Sequence, residues 1–178
     1  MTHQIIIAGF GGQGIMSMGQ LLAYAGMLED KNVSWLPSYG PEMRGGTANC
    51  NVIISDDMVA SPIITKATAV IAMNKPSLDK FENAVSRGGL LLINSSLIDR
   101  KASRDDIEVC YIPANEIAEK LGNSRVANMV MLGSYIAKSN AVSPGSVINS
   151  LTKVLGSSKA HFIPINQKAL SMGAEYVK

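Results

Sequence analysis

The sequence predicts an α/β fold, a three-layer, Rossmann-like and mostly parallel sheet. Three observations predict it. Short apolar runs alternate with amphipathic stretches along most of the chain. Several runs, such as Leu90-Leu91-Leu92-Ile93, are continuously apolar, as strands covered on both faces are. A glycine-rich turn, Gly9-Phe10-Gly11-Gly12-Gln13-Gly14, joins the first run to the first amphipathic stretch.

Gln4 to Ala8 is the first strand, and Gly12 to Leu28 the first helix, with Ile15, Met18, Leu22 and Ala25 on one stripe. Val33 to Leu36 is the second strand. Only ten residues, rich in proline and glycine, separate it from the third run, Thr47 to Ser55. A parallel crossover needs about a dozen residues or more. The third run also alternates, Ala48, Cys50, Val52 and Ile54 against Thr47, Asn49, Asn51 and Ser55. It reads as one half-exposed strand near an edge, open to antiparallel pairing. Ala69 to Met73 is the fourth strand. Pro76 to Ser86 is the next helix, with proline at a first helical position. Gly89 to Asn94 and Glu108 to Ile112 complete six strands. Helices follow over Pro113 to Leu121, over Arg125 to Lys138, from Ser143-Pro144 onward, and over Gln167 to Val177. Right-handed crossovers place helices on both faces of such a sheet.

Composition bounds the function. A chain of 178 residues fits one domain, and residues 1–178 read as a single unit without repeat, low-complexity tract or linker. Charged residues make up 17%, below the roughly 25% usual for soluble domains. With ten methionines, this suits either a well-packed core or a surface covered by another protein. The net charge is +2 and there is no Lys/Arg run, which argues against nucleic-acid binding. No apolar run reaches the roughly 18 residues of a membrane helix. The first residues lead straight into a strand pattern, without the basic region and cleavage site of a signal peptide. Cytoplasmic residence, away from membranes, is the expectation. Cys50 and Cys110 match no metal or redox spacing, so no metal site is expected.

The glycine turn points to an anion. Gly9 permits the tight turn, Gly11 lets a ligand approach the backbone, and Gly14 lets helix and strand pack closely. Gly9, Gly11, Gly12, Gln13 and Gly14 are therefore the candidate cofactor-binding residues, with Asn74 after the fourth strand beside them. The free N–H groups and the helix dipole attract negative charge. No Gly-Lys-Ser/Thr follows, so nucleotide hydrolysis is not expected. The second strand ends in Leu36-Pro37-Ser38, without the acidic residue that holds a nicotinamide ribose. The bland alternative is a turn that binds nothing.

The segment Pro37-Ser38-Tyr39-Gly40-Pro41-Glu42-Met43-Arg44-Gly45-Gly46 leaves the second strand beside that turn. Arg44 carries a planar charge suited to carboxylate or phosphate, and Glu42 is placed to orient it. Tyr39, Glu42 and Arg44 are the catalytic candidates, and Gly45 completes the loop.

Together, Gly9-Phe-Gly-Gly-Gln-Gly14-Ile15 and Ser38-Tyr-Gly-Pro-Glu-Met-Arg44-Gly-Gly46 resemble the gamma subunit of the 2-oxoacid:ferredoxin (acceptor) oxidoreductases, of the pyruvate, 2-oxoglutarate and 2-oxoisovalerate type. The likeness continues in Met73-Asn74-Lys75-Pro76, Ile93-Asn94-Ser95-Ser96 and Val126-Ala127-Asn128-Met129-Val130-Met131-Leu132-Gly133. The resemblance implies a subunit, inactive alone, of an enzyme for the coenzyme A-dependent oxidative decarboxylation of a 2-oxoacid. It implies thiamine diphosphate, Mg2+ and iron–sulfur clusters in partner subunits, ferredoxin or a similar acceptor reached through the complex, and a role for this chain toward coenzyme A. With two cysteines, this chain lacks the thiolates one such cluster needs. The rivals are a stand-alone dinucleotide-binding oxidoreductase and a purely structural assembly subunit. Asn94, Ser95, Ser96 and Asn128 read more readily as turn, cap or packing residues. Cys50 and Cys110 read as small strand hydrophobes, and Trp35 as core.

Overall fold

The computed structural model describes residues 1–38 and 47–178. Six strands, β1 (Thr2–Phe10), β2 (Asn32–Ser38), β3 (Thr47–Ser55), β4 (Ala67–Ala72), β5 (Val85–Asn94) and β6 (Glu108–Ile112), form one sheet in the order β2-β3-β1-β4-β5-β6. Around it lie α1 (Ile15–Leu28), α2 (Lys75–Phe81), α3 (Ala114–Lys120), α4 (Ala127–Ser139), α5 (Pro144–Leu155) and α6 (Ile163–Tyr176). The three pairings from β1 through β4 and β5 to β6 are parallel, and both antiparallel pairings involve β3.

β3 is thus the one reversed strand. It lies one place in from the edge, which β2 occupies. Helix α1 returns the chain parallel to β1, and the ten residues after Leu36 suffice only for an antiparallel return. That return fills the slot between β2 and β1. The alternation holds at the start of β3, where Ala48 and Cys50 are buried and Asn49 and Asn51 are partly open. From Val52 onward both faces are covered.

The chain leaves β1 toward β2 but leaves β4 toward β5, in opposite directions along the sheet. Right-handed crossovers then put α1 and α2 on opposite faces. The two cores follow the period of two. Ile5, Ile7, Val52, Ile71 and Leu92 pack beneath α1, while Ile6, Ile53, Val70, Leu91 and Ile93 pack on the α2 side. The layers are unequal. α3, α4, α5 and α6 all join the α1 side. The other face is closed by α2 and by Ile64 and Ile98 from the connections between strands.

Helix α4 is buried over ten successive residues, Ala127 to Ile136, as an all-round apolar helix must be. Two glycines let α6 cross it at backbone distance. A Cβ at Gly133 would stand 2.7 Å from the Leu170 carbonyl carbon, and one at Gly173 would stand 2.8 Å from that of Val130. The Ser134 hydroxyl bridges the two helices, 3.1 Å from the Val130 carbonyl and 2.8 Å from that of Gly173. Helix α1 is seated as closely: a Cβ at Gly19 would lie 2.6 Å from Cys50 Sγ and 2.7 Å from Trp35 Nε1. Trp35 is half-buried against that core. Helix α6 begins four residues before the sequence suggested, because Pro164 stands in its first turn, where proline is tolerated.

On the thin face, Glu82 ties the connection before β6 to the end of α2. It is 4% exposed. Its carboxylate accepts from the Ser103 N–H at 2.5 Å and from Arg100 Nη2 at 3.0 Å. Burial works against its ionisation, but these donors outweigh burial and hold the carboxyl below the ordinary glutamate value of 4.5. A depressed value gives stability that is complete above the ordinary value and is lost as pH falls through the depressed one. Glu82→Gln should therefore lower stability at neutral pH by about 2 kcal/mol. Urea denaturation across a pH series should show the gap to the parent protein closing in acid. A gap that stays constant with pH would mean the carboxylate charge contributes nothing.

Candidate functional site

The carboxyl ends of β1, β4 and β5 meet where the chain direction along the sheet changes, which is where open α/β sheets bind ligands. The glycine turn stands there, between β1 and α1. Gln13 braces it. Its N–H donates to the Phe10 carbonyl at 3.1 Å, its Oε1 accepts from the Phe10 N–H at 2.6 Å, and its Nε2 reaches the Met73 carbonyl at 3.4 Å. The Gln13 side chain therefore binds the ends of β1 and β4 together.

Close packing in the turn falls first on Gly9. A Cβ there would lie 2.6 Å from Gln13 Oε1, 2.7 Å from Ile15 Cδ1 and 2.8 Å from Met73 Cβ. Gly12 and Gly14 hold left-handed conformations, φ 91° and 74°, which side chains disfavour. The close neighbour of Gly14 is Asn128 of α4 rather than the strand: a Cβ at Gly14 would stand 2.8 Å from Asn128 Cγ.

Gly14 occupies the N-cap position of α1, and no side chain caps the helix among the described residues. The first turn, Ile15-Met16-Ser17, contains no acidic residue. Its N–H groups have no intrahelical acceptor and, with the dipole of a 14-residue helix, face outward. Two cavities meet at this point. One, of 250 Å³, is lined by Gly11, Gly12, Gly14, Met16 and Ala48. The other, of 360 Å³, runs from Gly12, Gly14 and Ser17 past Asn128 to Arg125 and Lys159. Arg125 and Lys159 are exposed at its rim. Sequence reasoning missed both, because they stand more than a hundred residues after the turn and outside any motif. A groove of 380 Å³ between α4, α5 and α6 is mostly apolar and remote from the turn.

Asn74 is 2% exposed and caps α2, accepting from the Ser77 N–H at 2.9 Å. Its Nδ2 has no partner among the described residues. Asn94, fully buried, donates to the Met73 carbonyl at 3.4 Å and to Asn115 Oδ1 at 2.8 Å, while its own Oδ1 has no partner among them. Gln13 and Asn94 thus converge on one carbonyl at the end of β4, with Asn74 the next residue. Ser96 accepts from the Glu116 N–H at 3.3 Å near the start of α3, a structural role. Burial pushes the Cys50 thiol up to about 12, which leaves it without nucleophilic character.

Tyr39, Glu42, Arg44 and Gly45 lie outside the described residues. The residues flanking them are placed. Ser38 pairs with Asn49 and Phe10 with Thr47. Ser38 and Thr47 therefore both stand at the end of the sheet that carries the glycine turn.

Adding a side chain at Gly9 tests the close packing directly. Gly9→Ala should destabilise the protein by about 1–3 kcal/mol, measured by urea denaturation. A cost near zero would mean that Gln13 and Met73 move apart freely.

Comparison with known proteins places this geometry. Residues 4–176 match the pyruvate ferredoxin/flavodoxin oxidoreductase family. The chain is 39% identical over 175 residues to the ketoisovalerate oxidoreductase subunit VorA of Methanothermobacter thermautotrophicus. That match takes in 98% of this chain but 36% of VorA, so the chain spans about a third of the length of that relative. It is 35% identical over 150 residues to the 2-oxoglutarate synthase subunit KorC of Methanocaldococcus jannaschii, 83% of this chain and 80% of KorC. The gamma subunit of a keto/oxoacid ferredoxin oxidoreductase from Geobacter sulfurreducens superposes with a TM-score of 0.84 at 29% identity over 98% of both chains. The 2-oxoglutarate:ferredoxin oxidoreductase of Magnetococcus marinus, whose structure holds 2-oxoglutarate, coenzyme A and succinyl-CoA, shares the fold. Its TM-score is 0.89 at 21% identity, over 99% of this chain and 31% of that one.

Proposed function

This chain belongs to the pyruvate ferredoxin/flavodoxin oxidoreductase family, and on that premise we propose that it is the gamma-type subunit of a multi-subunit 2-oxoacid:ferredoxin oxidoreductase. The observation that carries the reading is its match to KorC, a separate subunit most of whose length it covers. In the proposed cytoplasmic assembly, partner subunits would hold thiamine diphosphate with Mg2+, which would supply the decarboxylation chemistry, and iron–sulfur clusters, which would supply the electron route to ferredoxin or a similar acceptor. This chain contributes the wall of the site that faces coenzyme A.

The residues fit that task. The uncapped N-terminus of α1, without acidic residues in its first turn, suits the pyrophosphate. The dipole contributes about 0.3–1 kcal/mol at an exposed helix end. Arg125 and Lys159, at the rim of the adjoining cavity, add positive charge for further phosphate. Gly11 lines the cavity beside the turn, and its missing side chain leaves room for a ligand to approach the backbone. Asn74 Nδ2 is a buried donor without a partner among the described residues, one residue after the Met73 carbonyl that Gln13 reaches. Arg44, with Glu42 and Tyr39 beside it in sequence, provides a charge for the carboxylate of the 2-oxoacid or for the acyl carrier. The rival of a nicotinamide enzyme is disfavoured by the end of β2, where Leu36-Pro37-Ser38 offers no carboxylate to a ribose.

Gentle affinity purification of the tagged protein from its own cells should bring down thiamine-binding and cysteine-rich subunits. The pool should reduce a dye with a 2-oxoacid only when coenzyme A is present. A protein that emerges alone under conditions preserving complexes would overturn the subunit reading. Within the complex, Gly11→Val should raise the KM for coenzyme A, and Arg44→Ala should lower turnover while leaving the melting temperature of the subunit in place. Unchanged kinetics would remove the respective residue from the site.

A further inference from the structure

Asn128 is a buried polar residue in a helix that is otherwise almost wholly apolar in its first two turns. It is 7% exposed, and it stands across from the glycine turn although 114 positions separate it from Gly14. Its Nδ2 donates to the Gly14 carbonyl at 3.3 Å. Its Oδ1 accepts from the Met129 N–H at 2.9 Å. The second bond fixes which way the amide faces, so that the donor and not the acceptor meets Gly14. The amide also occupies the space that a side chain at Gly14 would need. Gly14 and Asn128 therefore interlock, and Asn128 is anchored in turn by α4, which α6 holds at backbone distance.

The Gly14 carbonyl and the Ile15 N–H belong to one planar trans peptide and point in opposite directions. The carbonyl has two donors, the Met18 N–H of α1 at 3.1 Å and Asn128 Nδ2 at 3.3 Å, and together they hold the peptide so that its N–H points away from the body of α1. That N–H is the first of three at the start of α1 that have no intrahelical acceptor, and Gly14 and Asn128 line the same 360 Å³ cavity. We propose that Asn128 is a positioning residue of the site: as the second donor to the Gly14 carbonyl, beside the Met18 N–H of α1, it fixes the peptide that presents the Ile15 N–H to the bound anion, without touching the anion itself. This rests on the reading of the turn as the site of a pyrophosphate group.

The test uses the 15N-labelled full chain, as the parent protein, Asn128→Asp and Asn128→Ala. Asn128→Asp keeps the size of the side chain and replaces the donor by an oxygen. Without ligand, both variants should shift and broaden the Ile15 amide resonance, while signals from the distant β5–β6 pair stay in place. Titration with inorganic pyrophosphate and with coenzyme A should then show the parent binding and both variants binding about tenfold more weakly, on the scale of one hydrogen bond. Asn128→Asp should recover part of the loss as pH falls and its carboxyl regains a proton to donate, and Asn128→Ala should not. An Ile15 resonance unchanged in both variants would overturn the positioning role, whatever the ligand. A parent protein that binds neither probe, with Ile15 still shifted in the variants, would instead overturn the anion reading and leave Asn128 as a brace of the turn.

Discussion

The backbone crossing of α4 and α6 is the contact on which the site at the start of α4 depends. Two absent side chains, at Gly133 and Gly173, let the helices meet, and the Ser134 hydroxyl joins them. A helix with ten successive buried residues has little freedom to rotate, because every face is engaged. Its first turn is held as firmly as its middle, and it delivers Asn128 to the glycine turn. The sheet supplies the other half of the geometry. Gln13 binds the ends of β1 and β4, and Gly9 lets those ends approach.

Much of the fold was legible in the sequence, because strands with two covered faces leave continuous apolar runs. All six strands fall where those runs lie, and the reversed direction of β3 could be sensed from ten residues rich in glycine and proline and from the alternation at Asn49 and Asn51. Its position between β2 and β1 could not, since spatial order is set by long-range pairing that period and propensity do not encode. The skewed layers were hidden for a similar reason. Helices α3 to α6 all follow the last strand, and nothing in their stripes says which face they cover.

The site divides along the same line. The glycines were visible as a local motif, and their place at the end of β1 followed from it. What each one touches was not. Gly14 yields space to Asn128, and Gly9 to Met73, and both partners come from elsewhere in the chain. Asn128 was marked only as a polar residue in an apolar helix. Arg125 and Lys159 had no signal, since a cation on a surface helix or turn is ordinary until the fold carries it to the rim of a cavity. Tyr39, Glu42, Arg44 and Gly45 remain sequence inferences, outside the described residues.

The seating of α1 on the sheet carries its own optical marker. Trp35 is the single tryptophan of the chain, and it stands where Gly19 of α1 and Cys50 of β3 come together. Its indole N–H has no partner among the described residues, and a thiol lies close by. Emission from this one fluorophore therefore reports the gap between α1 and β3. Lifting the helix that follows the glycine turn changes the quenching and the polarity around one ring, so the seating of that helix is readable in intrinsic light without any label.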